Sequence, residues 1–340
     1  MKMITEAIAL LADRKDLDQN SMGMVMEEIM NGEATQSQVA ALLMGLRIKG
    51  ETTDEITAAA RVMRAKATKI KAPADAIDTC GTGGDHSLTF NISTAAAFVA
   101  AGAGIPVAKH GNRAASSTCG SADVLAALGV NINAEVKTVE NCIAAVGIGF
   151  LFAPLLHGAM KHAIIPRREM GIRTIFNLLG PLSNPAGAKT QLIGVYDRRW
   201  VKPLAEVLCN LGSSRALVVH GTDGLDEITI TGPTLAAELK DGRVSELELA
   251  PEQFGIKPAK LGQIRGGNPG FNAQLLRGIL SGEPGPCADI VLLNAGAAIC
   301  LAGKTGNIQD GIEVARETIK SGKAMQKLEQ LVQCSNQAAS

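Results

Sequence analysis

The sequence predicts an α/β fold in which a small N-terminal helical domain precedes a larger domain with a central, mostly parallel β-sheet flanked by helices. Three observations lead there. The first seventy residues carry only helical signals, and from residue 76 short strands alternate with helices, with glycines at the junctions. The composition is 46% hydrophobic but only 3% aromatic, so the core must be built from Ala, Leu, Ile and Val around turns supplied by 37 glycines. At about 150 residues per domain, a chain of 340 suits one large or two modest domains.

Thr35 and Gln38 make a capping box ahead of Val39, Leu42, Leu43 and Leu46, which share one helical face, and Gly50 supplies the stop. Thr52 and Glu55 repeat the box and open a helix through Ile56, Ala60, Val62 and Met63. Its basic tail, Arg64, Lys66, Lys69 and Lys71, complements a helix C-terminus or a solvated face. Pro73 breaks the pattern, so domains are expected at 1–72 and 73–340, with a hinge near 71–77 and part of 160–190 returning to complete the first. Strands are expected at 77–80, 105–108, 191–195 and 216–219, and helices at 93–103, 121–128 and 200–211. Residues 234–249 read as β, and helices close the chain near 273, near 288 and over 307–332.

Composition excludes several functions. The 33 basic and 33 acidic residues cancel, which removes the general attraction that dominates binding to nucleic acids and anionic membranes. The most apolar stretch, 288–303, contains Asp289 and Asn294 and falls short of the ~20 residues of a spanning helix. Acidic residues Glu6, Asp13, Asp16 and Asp18 interrupt the N-terminus where a signal peptide would be apolar, so a cytoplasmic location is expected. The seven cysteines form no C-x-x-C pair and read as free, mostly buried thiols.

Three loops carry chemistry. Residues 78–85 run Asp-Thr-Cys-Gly-Thr-Gly-Gly-Asp off a strand, and Thr89, Asn91, Ser93 and Thr94 follow at a helix start; glycines let the backbone approach an anion, and the helix end adds N–H groups. Asp85 beside phosphate calls for an intervening Mg²⁺ or a sugar hydroxyl. The competing reading is a plain strand-to-helix turn with Ser93 or Thr94 as the cap. One unit later, Lys109, His110, Gly111, Asn112, Arg113, Ala114, Ala115, Ser116 and Ser117 precede Ser121 at another helix start, at the sheet edge where open α/β folds bind ligands. Lys109 and Arg113 in isolation would be ordinary solvated charges. Third, Asp226 and Glu227 stand in the glycine turn 221–227, a pattern suited to Mg²⁺ and equally common as solvated surface.

The strings GTGGD, TFNIST, KHGNR, GSADVLAALG, MGIRTIFNLLGPLSNPA, HGTDGLDEITITGPT and DIVLLNAGAA, in this order over residues 78–303, resemble the anthranilate phosphoribosyltransferase family. The resemblance implies transfer of a phosphoribosyl group from phosphoribosyl pyrophosphate (PRPP) to the amine of anthranilate, in a cytoplasmic homodimer, with two Mg²⁺ ions per subunit. It implies that Gly81, Gly83, Gly84, Asp85, Thr89, Asn91, Ile92, Ser93, Thr94, Lys109 through Ser117 and Ser121 surround PRPP. By the same resemblance Ser93, Asp226 and Glu227 hold the metal, while Gly81, Asn112 and Arg167 face anthranilate, with Arg168 the neighbour most easily confused with Arg167. Departures from the pattern are His86, Thr118-Cys119 and Gly158, which bear on loop rigidity rather than on reaction type. His110 and His157 lie near the motifs and serve either to position a substrate or as structural imidazoles. The alternatives are a pyrimidine-nucleoside phosphorylase-like enzyme, separable by its indifference to Mg²⁺, and a non-catalytic nucleic-acid-binding relative, which neutral charge disfavours.

Overall fold

The computed structural model describes residues 3–85, 87–114 and 118–337. Four helices open the chain: α1 (Met3–Ala12), α2 (Gln19–Met30), α3 (Gln36–Lys49) and α4 (Thr53–Lys66). Both capping boxes form. Glu55 does more than close its box. Fully buried, it accepts from Leu17 N at 2.9 Å, Thr52 N at 2.8 Å and Lys49 Nζ at 3.0 Å, tying three segments of the bundle together.

The remainder alternates as β1 (Ile77–Gly81), α5 (Ile92–Gly102), β2 (Val107–Gly111), α6 (Ser121–Ala127), α7 (Val136–Asn141), β3 (Ile148–Phe152) and α8 (Ala153–Leu156). Then come α9 (Lys161–Met170), α10 (Phe176–Leu182), β4 (Thr190–Gly194), α11 (Val201–Asn210) and β5 (Arg215–Gly221). The hairpin of β6 (Thr234–Lys240) and β7 (Arg243–Leu249) precedes α12 (Pro269–Leu280), α13 (Pro286–Leu301), α14 (Ile308–Lys320) and α15 (Lys323–Ser335). One sheet results, in the order β3-β2-β1-β4-β5-β6-β7, with its first five strands parallel and the last two antiparallel. Chain order runs outward in both directions from the β1/β4 junction, which makes that junction the point where open α/β sheets leave a crevice.

Alternation along the strands divides the core. Leu217 and Val219 join the layer of α5 and α13, whereas Ala216 and Val218 face the other side, where α11, α10 and the N-terminal bundle pack. Helices α9 and α10 do return to the bundle, against α2, α3 and α4. Helix α13 is buried on every side, as the apolar run 288–303 requires. Among the described residues no helix is long and apolar enough to cross a membrane, and all seven cysteines are free.

Three local expectations need correction. Strand β2 covers Val107–Gly111 rather than 105–108, because Pro106 has no N–H to donate and only its carbonyl enters the ladder, accepting from Ile77 N at 2.9 Å. Strand β3 was not anticipated: its five residues are all buried, so the two-residue alternation that marks a half-exposed strand is missing. The run 307–332 is two helices, parted at Gly322, whose φ of 75° only glycine adopts without cost. Arg64 stands in the last turn of α4, as the helix-C-terminus alternative has it, and its guanidinium donates to Leu182 O at 2.6 Å and Leu211 O at 3.3 Å, tying α4 to the ends of α10 and α11.

Candidate active site

The carboxyl ends of β1, β2, β4 and β5 meet at the crevice. Gly81 ends β1 and Gly194 ends β4, and Asp226 lies across both. A Cβ on Gly81 would stand 2.5 Å from Asp226 Oδ2, and one on Gly194 would overlap the Asp226 carbonyl. Both positions therefore exclude a side chain. Gly83 and Gly84 turn the chain with φ of 65° and 72°, and Gly83 N donates to Asp226 Oδ2 at 2.7 Å. The next residue of the pair, Glu227, accepts from Ser93 N at 3.1 Å at the start of α5.

These carboxylates are electrostatically frustrated. Burial first, then Asp85 and Glu227, push the Asp226 pKa well above the usual carboxylate range; burial pushes Glu227 up to about 7 despite Lys109 and the Ser93 bonds. Lys109 is not solvated. It is 2% exposed beneath the turn, donates to Thr79 O and lies 3.5 Å from Ser93 Oγ; burial lowers its pKa, and Asp78, Cys80 and Glu227 oppose that. The plain-cap reading of Ser93 and Thr94 fails as well, since the helix cap is Asn91, Ser93 N belongs to Glu227, and Thr94 Oγ1 is buried without a partner among the described residues.

The second loop folds on itself. Asp123 accepts from Ala114 N and Gly120 N and pairs with Arg113 at 2.8 Å, so Arg113 is engaged rather than free. Ser121 Oγ donates to Asn112 O at 3.3 Å, and Gly111 has no room for a Cβ beside Ser121. Asn91 bridges to this loop through Cys119 O and is itself held by Asn272. Thr89 forms a bridge with Arg265, and Ile92 packs into the core with its N–H on Phe90 O, leaving no side chain at the crevice. Ala115, Ser116, Ser117 and His86 lie outside the described residues.

Arg167 sits on α9 with its guanidinium 5.1 Å from the Phe176 ring centre, and it makes no hydrogen bond or ion pair among the described residues. It is half-buried while Arg168 is exposed, which separates the two neighbours. A guanidinium held on an aromatic face with its donors unspent suits a carboxylate ligand.

Residues 5–67 match the family model described as glycosyl transferase family, helical bundle domain, and residues 73–325 the one described as glycosyl transferase family, a/b domain. The chain is 57% identical over 328 residues to the anthranilate phosphoribosyltransferase of Thioalkalivibrio sulfidiphilus, covering 96% of this chain and 97% of that one. The chain belongs to the anthranilate phosphoribosyltransferase family. The Thermus thermophilus anthranilate phosphoribosyltransferase superimposes with a TM-score of 0.94 at 44% identity, covering 99% of this chain and 100% of that one. The Saccharomyces cerevisiae enzyme, solved with PRPP and Mg, gives 0.89 at 28% identity over 98% and 97% of the two chains, and its complex with 4-fluoroanthranilate gives 0.87 at 28% over the same shares.

Within this anthranilate phosphoribosyltransferase fold, the sequence reading missed the polar frame behind the loops. Asp78, fully buried, accepts from His110 N at 3.1 Å and Asn184 Nδ2 at 2.8 Å and so fixes β2 against β1. His110 and His157 face each other, Nε2 to Nε2 at 3.2 Å, and burial drives their pKa values to about 3 and about 4. Both are neutral at pH 7. Arg173 donates to Gly84 O and stacks 3.8 Å over Tyr196. Its only sequence signal was a cation within an otherwise apolar motif.

Proposed function

We propose that this chain transfers the 5-phosphoribosyl group of PRPP to the amine of anthranilate, giving N-(5-phosphoribosyl)anthranilate and pyrophosphate, a step of tryptophan biosynthesis. The observation that carries the reading is the crevice itself, where a glycine turn and a helix start meet two half-buried carboxylates whose repulsion a cation would relieve. Asp226, Glu227 and Ser93 offer hard oxygen donors, which fit Mg²⁺. Among the described residues no three His, Cys, Asp or Glu side chains cluster at metal-ligating spacing, so substrate and water oxygens would complete the shell of each of two ions. Bound there, Mg²⁺ supplies positive charge to the departing pyrophosphate.

The protein's own groups do the rest. Gly81, Gly83, Gly84, Asp85, Thr89, Asn91, Ser93, Thr94, the run 109–117 and Ser121 surround PRPP, with Ile92 contributing packing alone. Lys109 places a buried cation under the cradle. Arg167 takes the anthranilate carboxylate, with Gly81 and Asn112 beside it. The aromatic amine is already a nucleophile, so no side chain need attack; the site aligns it with the face of the sugar opposite the leaving group, and displacement inverts C1.

The bundle is assigned to 1–72 with α9 and α10, and the larger domain to 73–340. A homodimer through the bundle accounts for the apolar side chains Leu10, Met24, Met44 and Ile48 exposed on α1, α2 and α3, and a monomeric mass in solution would refute it. Location in the cytoplasm agrees with seven unpaired thiols. The reaction is tested by loss of anthranilate fluorescence on adding the chain, PRPP and Mg²⁺. Turnover must require all three. Phosphate-dependent nucleoside cleavage without Mg²⁺ would replace this reading with the phosphorylase one.

A further inference from the structure

The glycine turn is held from a direction that the substrate loops do not supply. Gly83 and Gly84 take left-handed conformations in succession, so the turn has the widest conformational choice in the crevice and needs an external restraint to keep one shape. Asp226 supplies half of that restraint by accepting from Gly83 N. The other half comes from Arg173, in the connection between α9 and α10, whose Nη2 donates to Gly84 O.

Arg173 is aimed by a closed circuit of contacts. Its guanidinium lies 3.8 Å over the ring of Tyr196, the chain's single tyrosine. Tyr196 N donates to Thr82 Oγ1 at 3.0 Å, and Thr82 N donates to Gly194 O at 2.9 Å. Trp200 Nε1 donates to Tyr196 Oη at 3.2 Å and fixes the platform from behind. Thr82 and Gly84 are thus gripped from the β4 side and the α9–α10 side together.

The consequence is directional. A trans peptide points its carbonyl and the following N–H to opposite sides, so fixing Gly84 O on Arg173 fixes where Asp85 N–H points. Neither Asp85 N, aimed in this way, nor Gly84 N in the preceding peptide has an acceptor among the described residues, which leaves two donors for an anion.

We propose that Arg173, carried on Tyr196, is a positioning residue for the phosphoribosyl donor: it holds the glycine turn in the shape that receives the phosphates of PRPP. The inference rests on the transferase reading. It assigns Arg173 to the donor, whereas Arg167 serves the acceptor.

Calorimetric titration of the full chain with PRPP in the presence of Mg²⁺, beside steady-state KM values for both substrates, tests it. Arg173→Gln should weaken PRPP binding by roughly tenfold or more, the effect of one charge-assisted hydrogen bond, with the KM for anthranilate and the thermal midpoint unchanged. Arg173→Lys should restore part of the affinity, because it keeps the charge but loses the planar face for stacking. Tyr196→Phe keeps the ring but loses the Trp200 bond, so its PRPP affinity should fall less than that of Tyr196→Ala, which should repeat part of the Arg173→Gln defect; Tyr196→Ala also carries the test if Arg173→Gln does not fold. Unchanged PRPP affinity in Arg173→Gln, or a rise confined to the anthranilate KM, would overturn the proposal. A wild-type chain that binds PRPP without turnover would defeat the transferase reading while leaving this comparison of affinities intact.

Discussion

Acid should destabilise this protein through its facing histidines. His110 and His157 are 6% and 7% exposed, and their Nε2 atoms share a 3.2 Å contact that holds one proton comfortably and two poorly. Burial is the main reason that both pKa values are depressed, to about 3 and about 4; for His110 the partner imidazole and Lys109 add to it while a backbone hydrogen bond at Gly180 opposes it, and for His157 Lys69 adds to it. In the unfolded chain each titrates near 6.5. Between that value and about 4 the unfolded state binds more protons, so stability is complete above pH 6.5 and falls as pH falls. At pH 5, some 1.5 units below the unfolded pKa, the loss is about 2 kcal/mol for each imidazole and about 4 kcal/mol for the pair. The buried Asp78 and the half-buried Asp226 and Glu227 have raised pKa values and act with the opposite sign, so the comparison must be differential. Urea unfolding from pH 7.5 to 4.5 should show a slope with pH that is steeper in wild type than in a His110→Gln/His157→Gln variant by about 2.5 kcal/mol per pH unit near pH 5. Carbon-labelled histidine spectra should show both rings neutral at pH 5. Equal slopes, or either ring titrating near 6.5 in the folded protein, would refute the reasoning.

Arg167→Ala should raise the KM for anthranilate roughly 10- to 100-fold, the worth of a charged fork on a carboxylate, while calorimetric PRPP affinity stays put. Gly194→Ala forces a methyl group into the Asp226 carbonyl; overpacking of about 1–3 kcal/mol should displace the carboxylate turn, and Mg²⁺-dependent PRPP binding should be lost while the far-ultraviolet spectrum is kept. Glu55→Ala leaves Lys49 its bonds to Asp16 Oδ1 and Gly50 O, both at 2.7 Å, but takes the acceptor from the Leu17 and Thr52 amides, so urea unfolding should register a loss of about 1–3 kcal/mol.

Local signals carried the helical bundle and most of the alternation. The boxes at Thr35 and Thr52 are sequence-adjacent devices, and their partners Gln38 and Glu55 stand where the motif places them. Strand β3 lacked such a signal because burial on both faces erases alternation, leaving a run that reads equally well as part of a helix. In the crevice, the glycines and the Asp226-Glu227 pair were legible because each loop is contiguous. How the pair is held was not, since that follows from Asp226 crossing Gly81 and Gly194, residues 145 and 32 positions before it. Lys109 was legible as a cation beside the loops, but its burial was not, because that follows from α5 packing over the strand end. Arg173 and Tyr196 meet across 23 residues with no motif linking them, so only the fold brings them together.

The sheet ends on two unlike edges. β3 is buried at all five positions, whereas β7 turns Arg243, Ser245, Glu246 and Glu248 to solvent. An uncovered strand is a template on which another chain can add hydrogen bonds, and a second copy arriving antiparallel in the register centred on Glu246 would set that carboxylate against its own copy. The open edge therefore resists growth of the sheet from molecule to molecule.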